Sequence, residues 1–483
     1  MIRYILVTII LPISLFAQFI SIKSIPVVTG DQFLLYPSQN LAMGNVSVAI
    51  DDPLLDVFNN PAKGNRITGL TLFFQPTFYT VSNNLGGART LPGTLFIKRG
   101  DWFSVISASF QQLEAANLTN PNRFTFQDSK PGDRYSTNRY AFFSIGTKLP
   151  WENFSVGGSL YWSDLSAVGG VDLLYNQSTN ISQNGDIYEL RGGLFYEDDY
   201  SSFELVGLYN NYEMLHEVTY RDFFWREDIN VWAEDMRIEN NLDHTDTYGA
   251  HVAYKEKINK EGPQIGAMAT VNWKTHPKIP NYEIMNIPRD PGNTWAYNFG
   301  IGIGVENEKT RFGLDFIFEP VWSNTWANAE EEIDLGNGRK ILPGQKTIEN
   351  NFTFNNWIGR IGINKIYSSY DFSAGLEINS RRYNLDQFDY IQQSNRSQEE
   401  NWTEYTWSWG IALHFSRFNL RYNGRLITGS GIPSINQGWG WVTFDNARMA
   451  ASDIIAAPAG SLTTDFQKVF THQFVIQIPL SGE

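Results

Sequence analysis

The sequence predicts an all-β fold, a transmembrane antiparallel β-barrel of 14–16 strands. Three observations predict it. Long segments alternate between apolar residues and small or polar ones. The connections between them alternate in length. Aromatics reach 15% of the 483 residues, and 40 Gly accompany them. A period of two sustained over ten or more residues is a strand whose faces meet different solvents. Aromatic girdles facing lipid and small residues facing a lumen are the composition of a membrane barrel.

Residues 1–17 read as a cleaved signal peptide. Arg3 gives a positive start, Ile5 to Leu15 form a short apolar core, and Ala17-Gln18 is the expected cut. The apolar run is too short for a spanning helix. The chain beyond it has no apolar run of eighteen residues, so crossing by helices is not expected. Mean hydropathy is -0.30, which alone would suggest a soluble protein. The alternation overrides that average, because half of each strand is meant to be polar.

The clearest strand is 294–305, where Trp295, Tyr297, Phe299, Ile301, Ile303 and Val305 alternate with Ala296, Asn298, Gly300, Gly302 and Gly304. In 403–416, Tyr405, Trp407, Trp409, Ile411, Leu413 and Phe415 alternate with Glu404, Thr406, Ser408, Gly410, Ala412 and His414. Glu404 needs water, so its face is assigned to the lumen and the aromatic face to lipid. The same pattern recurs at 248–254, 265–273, 312–318, 372–378 and 474–480.

Short connections are expected at 99–100, 149–153, 197–199, 255–262, 307, 367–368 and 416. Long ones are expected near 80–91, 112–137, 164–185, 211–244, 274–293, 319–349, 383–400 and 428–467. Short turns at one end and long loops at the other are the barrel pattern. An even strand count puts both termini at the short-turn end. The competing fold is a secreted propeller, but a blade needs four strands per repeat and each repeat here supplies two. No linker divides residues 68–483, which read as one barrel domain.

Residues 18–67 do not alternate. They carry Met43-Gly44, then Asp51-Asp52, then Asn60-Pro61-Ala62. This layout resembles the N-terminal region of the FadL-type outer-membrane transporters and their PorV/PorQ-like relatives. The match is sharp over about twenty-five residues, with Asn45 standing where relatives often have a second glycine. The resemblance implies that 18–67 folds inside the barrel as a hatch, with Met43, Gly44, Asp51, Asp52, Asn60, Pro61 and Ala62 as its motif. It also implies residence in a bacterial outer membrane and a hydrophobic small-molecule cargo. Lys63, directly after Asn-Pro-Ala, looks more like the PorV/PorQ-like branch, which serves type IX secretion.

Chemistry is sparse. With no cysteine there is no disulfide framework and no thiolate metal site. The six histidines form no His-x-x-x-His pair, and no Gly-x-Ser-x-Gly occurs, so neither a zinc enzyme nor a serine hydrolase is expected. His216 and His244 flank an acidic stretch, but no serine accompanies them. Gly300 to Gly304 lies within a strand and precedes no helix, which excludes a nucleotide loop. No cofactor and no metal is expected, and the net charge of -14 argues against nucleic acid.

Arg191, Arg311, Asp315, Glu377 and Glu404 fall on faces assigned inward. They either line a polar pore or pair across a plugged lumen. The stretch 211–244 is acidic and aromatic, and reads as a lid over the barrel mouth, with capture of a ligand or divalent cation as the alternative. Two functions follow. One is carriage of a hydrophobic small molecule across the outer membrane. The other is a PorV/PorQ-like secretion component, or a scaffold for secreted or surface proteins, with a closed lumen. Outer-membrane lipid is a partner in both.

Overall fold

The structure is a computed structural model that describes residues 20–116, 135–151, 153–174, 178–226, 231–259, 262–275, 292–329, 331–336, 338–433 and 463–480. The signal peptide therefore lies outside the described residues, as do most of 112–137, 274–293 and 428–467.

The strands are β1 (Leu70–Phe74), β2 (Thr77–Val81), β3 (Gly87–Arg99), β4 (Trp102–Glu114), β5 (Tyr135–Lys148), β6 (Phe154–Leu165) and β7 (Asn180–Glu197). There follow β8 (Ser201–Arg226), β9 (Val231–Lys257), β10 (Gln264–Thr275), β11 (Gly292–Asn307) and β12 (Thr310–Asn328). A small exposed hairpin comes next, β13 (Ile333–Gly336) and β14 (Arg339–Ile341). The barrel resumes with β15 (Lys346–Ile366), β16 (Tyr370–Asp389), β17 (Ser394–His414), β18 (Asn419–Pro433) and β19 (Thr463–Pro479).

Each barrel strand pairs antiparallel with its neighbours in sequence, and β19 closes the ring on β1 and β2. Both of those short strands also pair with β3 in one register, Phe74 opposite Gly93 and Thr77 opposite Thr90. They are one wall strand interrupted at Gln75-Pro76, where Pro76 has no N–H to donate. The barrel thus has sixteen strands, within the expected range. Closure pairs the two edges an open sheet would leave.

The expected short turns fall where the sequence puts them. At the β11–β12 turn, the Asn307 side chain accepts from the backbone N–H of Lys309 (3.0 Å) and Thr310 (2.9 Å). Gly100 (φ 62°) and Asn153 (φ 72°) occupy the left-handed region that such tight turns demand. Leu480 N–H donates to Leu70 O at 2.8 Å, so both ends of the barrel wall lie at the short-turn end.

Several of the long connections are strand instead of loop. The stretch 211–244 is the upper part of a β8–β9 ribbon, paired without a register shift from Ser201–Glu256 to Arg226–Val231. β7 still flanks it from Tyr188–Asn211 to Asn180–Thr219, and beyond Thr219 β8 and β9 go on as a two-stranded ribbon, so most of the expected loop is strand. The stretch 383–400 is a continuation of β16 and β17 around a tip at 390–393. Loops 80–91 and 319–349 shrink in the same way. The polar residues that broke the apolar alternation mark where strands leave lipid; the strands themselves continue into water.

The faces are inverted relative to a soluble protein. Ile301 (64% exposed), Trp407 (51%) and Leu91 (67%) point outward, while Thr406, Ser408, Gln111 and Asn138 are buried within. At the upper edge of the apolar band, Tyr209, Tyr248, Trp273, Trp295 and Trp322 stand at directly opposed positions on β8 to β12. Their rings form a ladder, with centroids 5.2 Å apart for Tyr209–Tyr248, 5.4 Å for Tyr248–Trp273 and 6.3 Å for Trp273–Trp295. From Trp295 down to Val305 is about ten residues of tilted strand. At ~3.3 Å per residue and a tilt near 40° that spans roughly 25 Å, the height of a barrel's lipid band.

Candidate functional site

Residues 20–67 form no barrel strand. They pack on inward faces around the ring, with three short helical turns at Leu41–Met43, Asp56–Asn59 and Pro61–Arg66. Met43, Val46, Ala49, Ile50 and Ala62 are buried.

The expected motif residues occupy three kinds of seat. Gly44 (φ 66°) ends the first turn in the left-handed region, and Asn45 follows at φ 58°. Asparagine tolerates that region better than most residues, which explains how it stands in for a second glycine. A side chain at Gly44 would approach Leu376 N to 2.8 Å and Ile361 O to 3.0 Å. Asp52 is buried and organises the chain before it. Its carboxylate accepts from Ser38 Oγ (2.5 Å), Asn40 N (2.9 Å), Gln39 N (3.0 Å), and Leu54 N and Leu55 N (both 3.2 Å). Asp52→Ala should strand several of these buried donors and cost about 3 kcal/mol, read as a lower urea midpoint at unchanged slope.

Asn60 caps the last helical turn. Its side-chain oxygen accepts from Ala62 N at 3.0 Å, and Pro61 occupies the first position, where its missing N–H is harmless. The Asn60 amide donates to Glu204 at 3.0 Å, tying the cap to β8.

Asp51 belongs to a buried charge net. It pairs with Lys255 (2.6 Å), Arg66 (3.0 Å) and Lys63 (3.7 Å). Lys63 also meets Glu204 (3.0 Å) and Asp56 (3.3 Å), and Arg66 reaches Glu197 on the rim at 2.5 Å. The Lys63 and Arg66 cations lie over the Phe195 ring, 5.6 and 4.7 Å from its centroid. Burial by itself would raise the Asp51 carboxyl, but Lys255, Arg66 and Lys63 together hold it well below the usual carboxylate range. Burial pushes Asp56 up to about 6, with Lys63 opposing the rise and Asp51 adding to it. For Lys63, burial works against the cation, and Asp56, Glu204 and Asp51 outweigh it, so it stays protonated.

The five charges assigned inward all point into the lumen, and each has a partner. Arg191 donates to Glu189 (2.7 Å) and to the carbonyls of Phe58 and Asn59 (3.2 Å each). Arg311 binds Gln39, the Asp51 carbonyl and Glu306. Asp315 accepts from Ser47 N (2.6 Å) and Val48 N (3.1 Å). Glu377 pairs with Arg360 (2.8 Å), and Glu404 with Lys23 (2.5 Å). Four of the five grip the inner segment directly, Glu377 being the exception.

Glu204, His251, Lys255 and Arg66 were not singled out from the sequence. A signal was present: Glu204 and Lys255 hold the inward parity of β8 and β9, where a charge must find an enclosed partner. His216 is buried inward, while His244 bonds Asn211 on the other face of the ribbon. The two histidines do not share a site.

Inward glycines receive the inner segment. A Cβ at Gly362 or Gly375 would overlap the Met43–Gly44 backbone, and one at Gly266 would overlap Val48. At Gly157 it would lie 2.7 Å from Pro61, and at Gly410 2.6 Å from Ala42 Cβ. Gly410 therefore faces a filled lumen, and a large residue there would be severe.

Apolar clusters lie inside as well. Val321, Phe352, Phe354, Tyr383 and Leu385 form an inner wall, covered by Ile20, Ile22 and Ile25. Opposite, Tyr36 stacks on Phe58 at 3.8 Å beside Phe142.

No family model matches this sequence, and no curated protein does. Among solved structures the chain is similar to a FadL homologue of Pseudomonas aeruginosa, at 10% identity and TM-score 0.44, covering 94% of this chain and 100% of the other. It is also similar to the Pseudomonas putida toluene transporter TodX, at 10% identity and TM-score 0.39, covering 91% and 96%. For the Ralstonia pickettii toluene transporter TbuX the values are 10% and 0.36, covering 92% and 99%.

Proposed function

We propose that this chain is a FadL-type barrel of the bacterial outer membrane that carries a hydrophobic small molecule, with residues 18–67 as its hatch. The observation that carries the reading is the apolar wall inside the lumen. A channel for polar solutes lines itself with polar groups. Here Phe352, Phe354, Tyr383 and Leu385 face inward, and the chain's own Ile20, Ile22 and Ile25 cover them. Such a wall suits an apolar guest that takes the place of those isoleucines. It is not a catalytic surface, and the reading includes no enzyme activity.

The test is uptake by vesicles whose outer leaflet is lipopolysaccharide. Toluene should enter several-fold faster than into vesicles lacking the protein, and glucose should not. Deletion of residues 20–67 should change the rate or abolish the selectivity. Unchanged toluene entry in both cases would refute the transport reading.

A second reading has its own support in the β8–β9 ribbon, whose strands of 26 and 27 residues far exceed a bilayer crossing. It is the PorV/PorQ-like secretion component or surface-protein scaffold. Purification from native membranes separates the two. Stoichiometric protein partners favour the scaffold, and co-purifying hydrocarbon or lipid favours the carrier.

A further inference from the structure

The acidic and aromatic stretch 211–244 begins and ends at the barrel wall. Tyr212 and Asp243 hold the inward parity of β8 and β9 there, opposite Ile187 and Met214. Tyr212 belongs to a group of rings. Phe33 and Tyr36 come from the inner segment, Tyr140 from β5 and Tyr161 from β6. Tyr36, Tyr161 and Tyr212 pack on one cluster that contains Tyr140, Ile187 and Met214. Phe33 meets Tyr140 edge-on at 6.2 Å, and Tyr140 and Tyr161 lie nearly parallel at 6.5 Å.

These rings border open space. Gln111 of β4 donates to Gln32 O (2.7 Å) and Gln75 donates to Leu35 O (3.0 Å), which fixes the chain on both sides of Phe33 inside the ring of strands. Phe33 is nevertheless 49% exposed, and Tyr36, Tyr161 and Tyr212 are only half-buried.

Carboxylates stand beside the rings. Glu189 is directly opposite Tyr161 and acts on the Tyr36 phenol as well, and Asp243 acts on that of Tyr212. Arg191 answers Glu189 while holding the Phe58 and Asn59 carbonyls. Lys274 is shared between Asp243 and Glu319. Three carboxylates against two cations leave one negative charge at this level of the lumen. A pure hydrocarbon gains nothing from that charge. A metal ion needs converging ligands, and among the described residues no three carboxylate or histidine groups converge. A cation with its own apolar surface uses both features, because ring faces attract it and carboxylates balance it. Outside, Glu213 and Glu217 are exposed at the foot of the ribbon and the chain's net charge is -14, so cations gather at this mouth.

We propose that the chamber bordered by Phe33, Tyr36, Tyr161 and Tyr212 binds an organic cation of the trimethylammonium class. The proposal goes beyond the carrier reading and holds whether that cation passes through or stays.

Titration calorimetry of the full chain in maltoside micelles, which carry no ammonium head, tests it. The probes are choline and its neutral tert-butyl isostere. Choline should bind about ten-fold tighter than the isostere, or more. Tyr212→Phe keeps the ring and should hold choline within about three-fold, whereas Tyr212→Leu should weaken it about ten-fold. Equal affinity for the two probes would make the chamber merely apolar and overturn the proposal. So would the absence of choline binding at millimolar concentration, or full affinity in Tyr212→Leu. Choline preference without toluene uptake by vesicles removes the carrier reading and leaves this site. Toluene uptake without choline preference removes this site alone.

Discussion

Lys63→Met should destabilise the folded barrel by about 3–5 kcal/mol, the cost of leaving a buried charge without its partner. The three carboxylates around Lys63 do not suffer equally. Asp51 keeps Lys255 at 2.6 Å and Arg66 at 3.0 Å, and Asp56 keeps Arg66 at 3.5 Å. Glu204 keeps the Asn60 amide, His251 with its nitrogen 3.9 Å away, and the more distant Lys255 cation. Most of the loss therefore belongs to Glu204. Adding Glu204→Gln should recover a substantial part of it, because a neutral amide no longer needs the cation. Urea unfolding of both variants in lipid vesicles measures this. A loss under about 1 kcal/mol for Lys63→Met would mean that water reaches the net and screens it.

That net also shows where the sequence stops being legible. The barrel could be read because every strand repeats one rule, apolar outward and small or polar inward, and repetition averages out exceptions. The 294–305 and 403–416 strands announce their faces residue by residue. The strands above the membrane could not be read that way. In 383–400 and 211–244 the outer face meets water instead of lipid, so it needs no apolar residues and polar strand resembles loop, while inward Tyr383, Leu385 and Met214 stay buried. Charge pairing was half legible. Inward parity places Glu404 and Asp315 in the lumen. Yet their partners, Lys23 and the backbone of Ser47 and Val48, lie hundreds of positions away in a segment with no periodicity. The glycine belt was visible as composition only. That Gly362, Gly375 and Gly266 meet specific backbone atoms of 43–48 depends on the ring closing around that segment.

Lipid contact makes the remaining large prediction, and it is one of depth. Ile301 and Ile411 are 64% and 40% exposed on the outer face, each well below the ring ladder or its equivalent on β17. Arginine at either position must carry a guanidinium into hydrocarbon or drag water and headgroups down to it. Ile301→Arg and Ile411→Arg should each cost about 2–4 kcal/mol. Thr403 lies on the same outer face of β17, two residues beyond Tyr405 and eight beyond Ile411. Eight residues of tilted strand carry it roughly 20 Å toward the headgroups. Thr403→Arg should therefore cost only about 0–1 kcal/mol, since at that level the guanidinium finds water and phosphate. The same urea titration in vesicles reads all three. A soluble β-sheet with this face exposed to water would tolerate arginine equally at 403 and 411. Equal small costs at the two depths would therefore remove the bilayer from around this strand, and a steep gradient between them places it there.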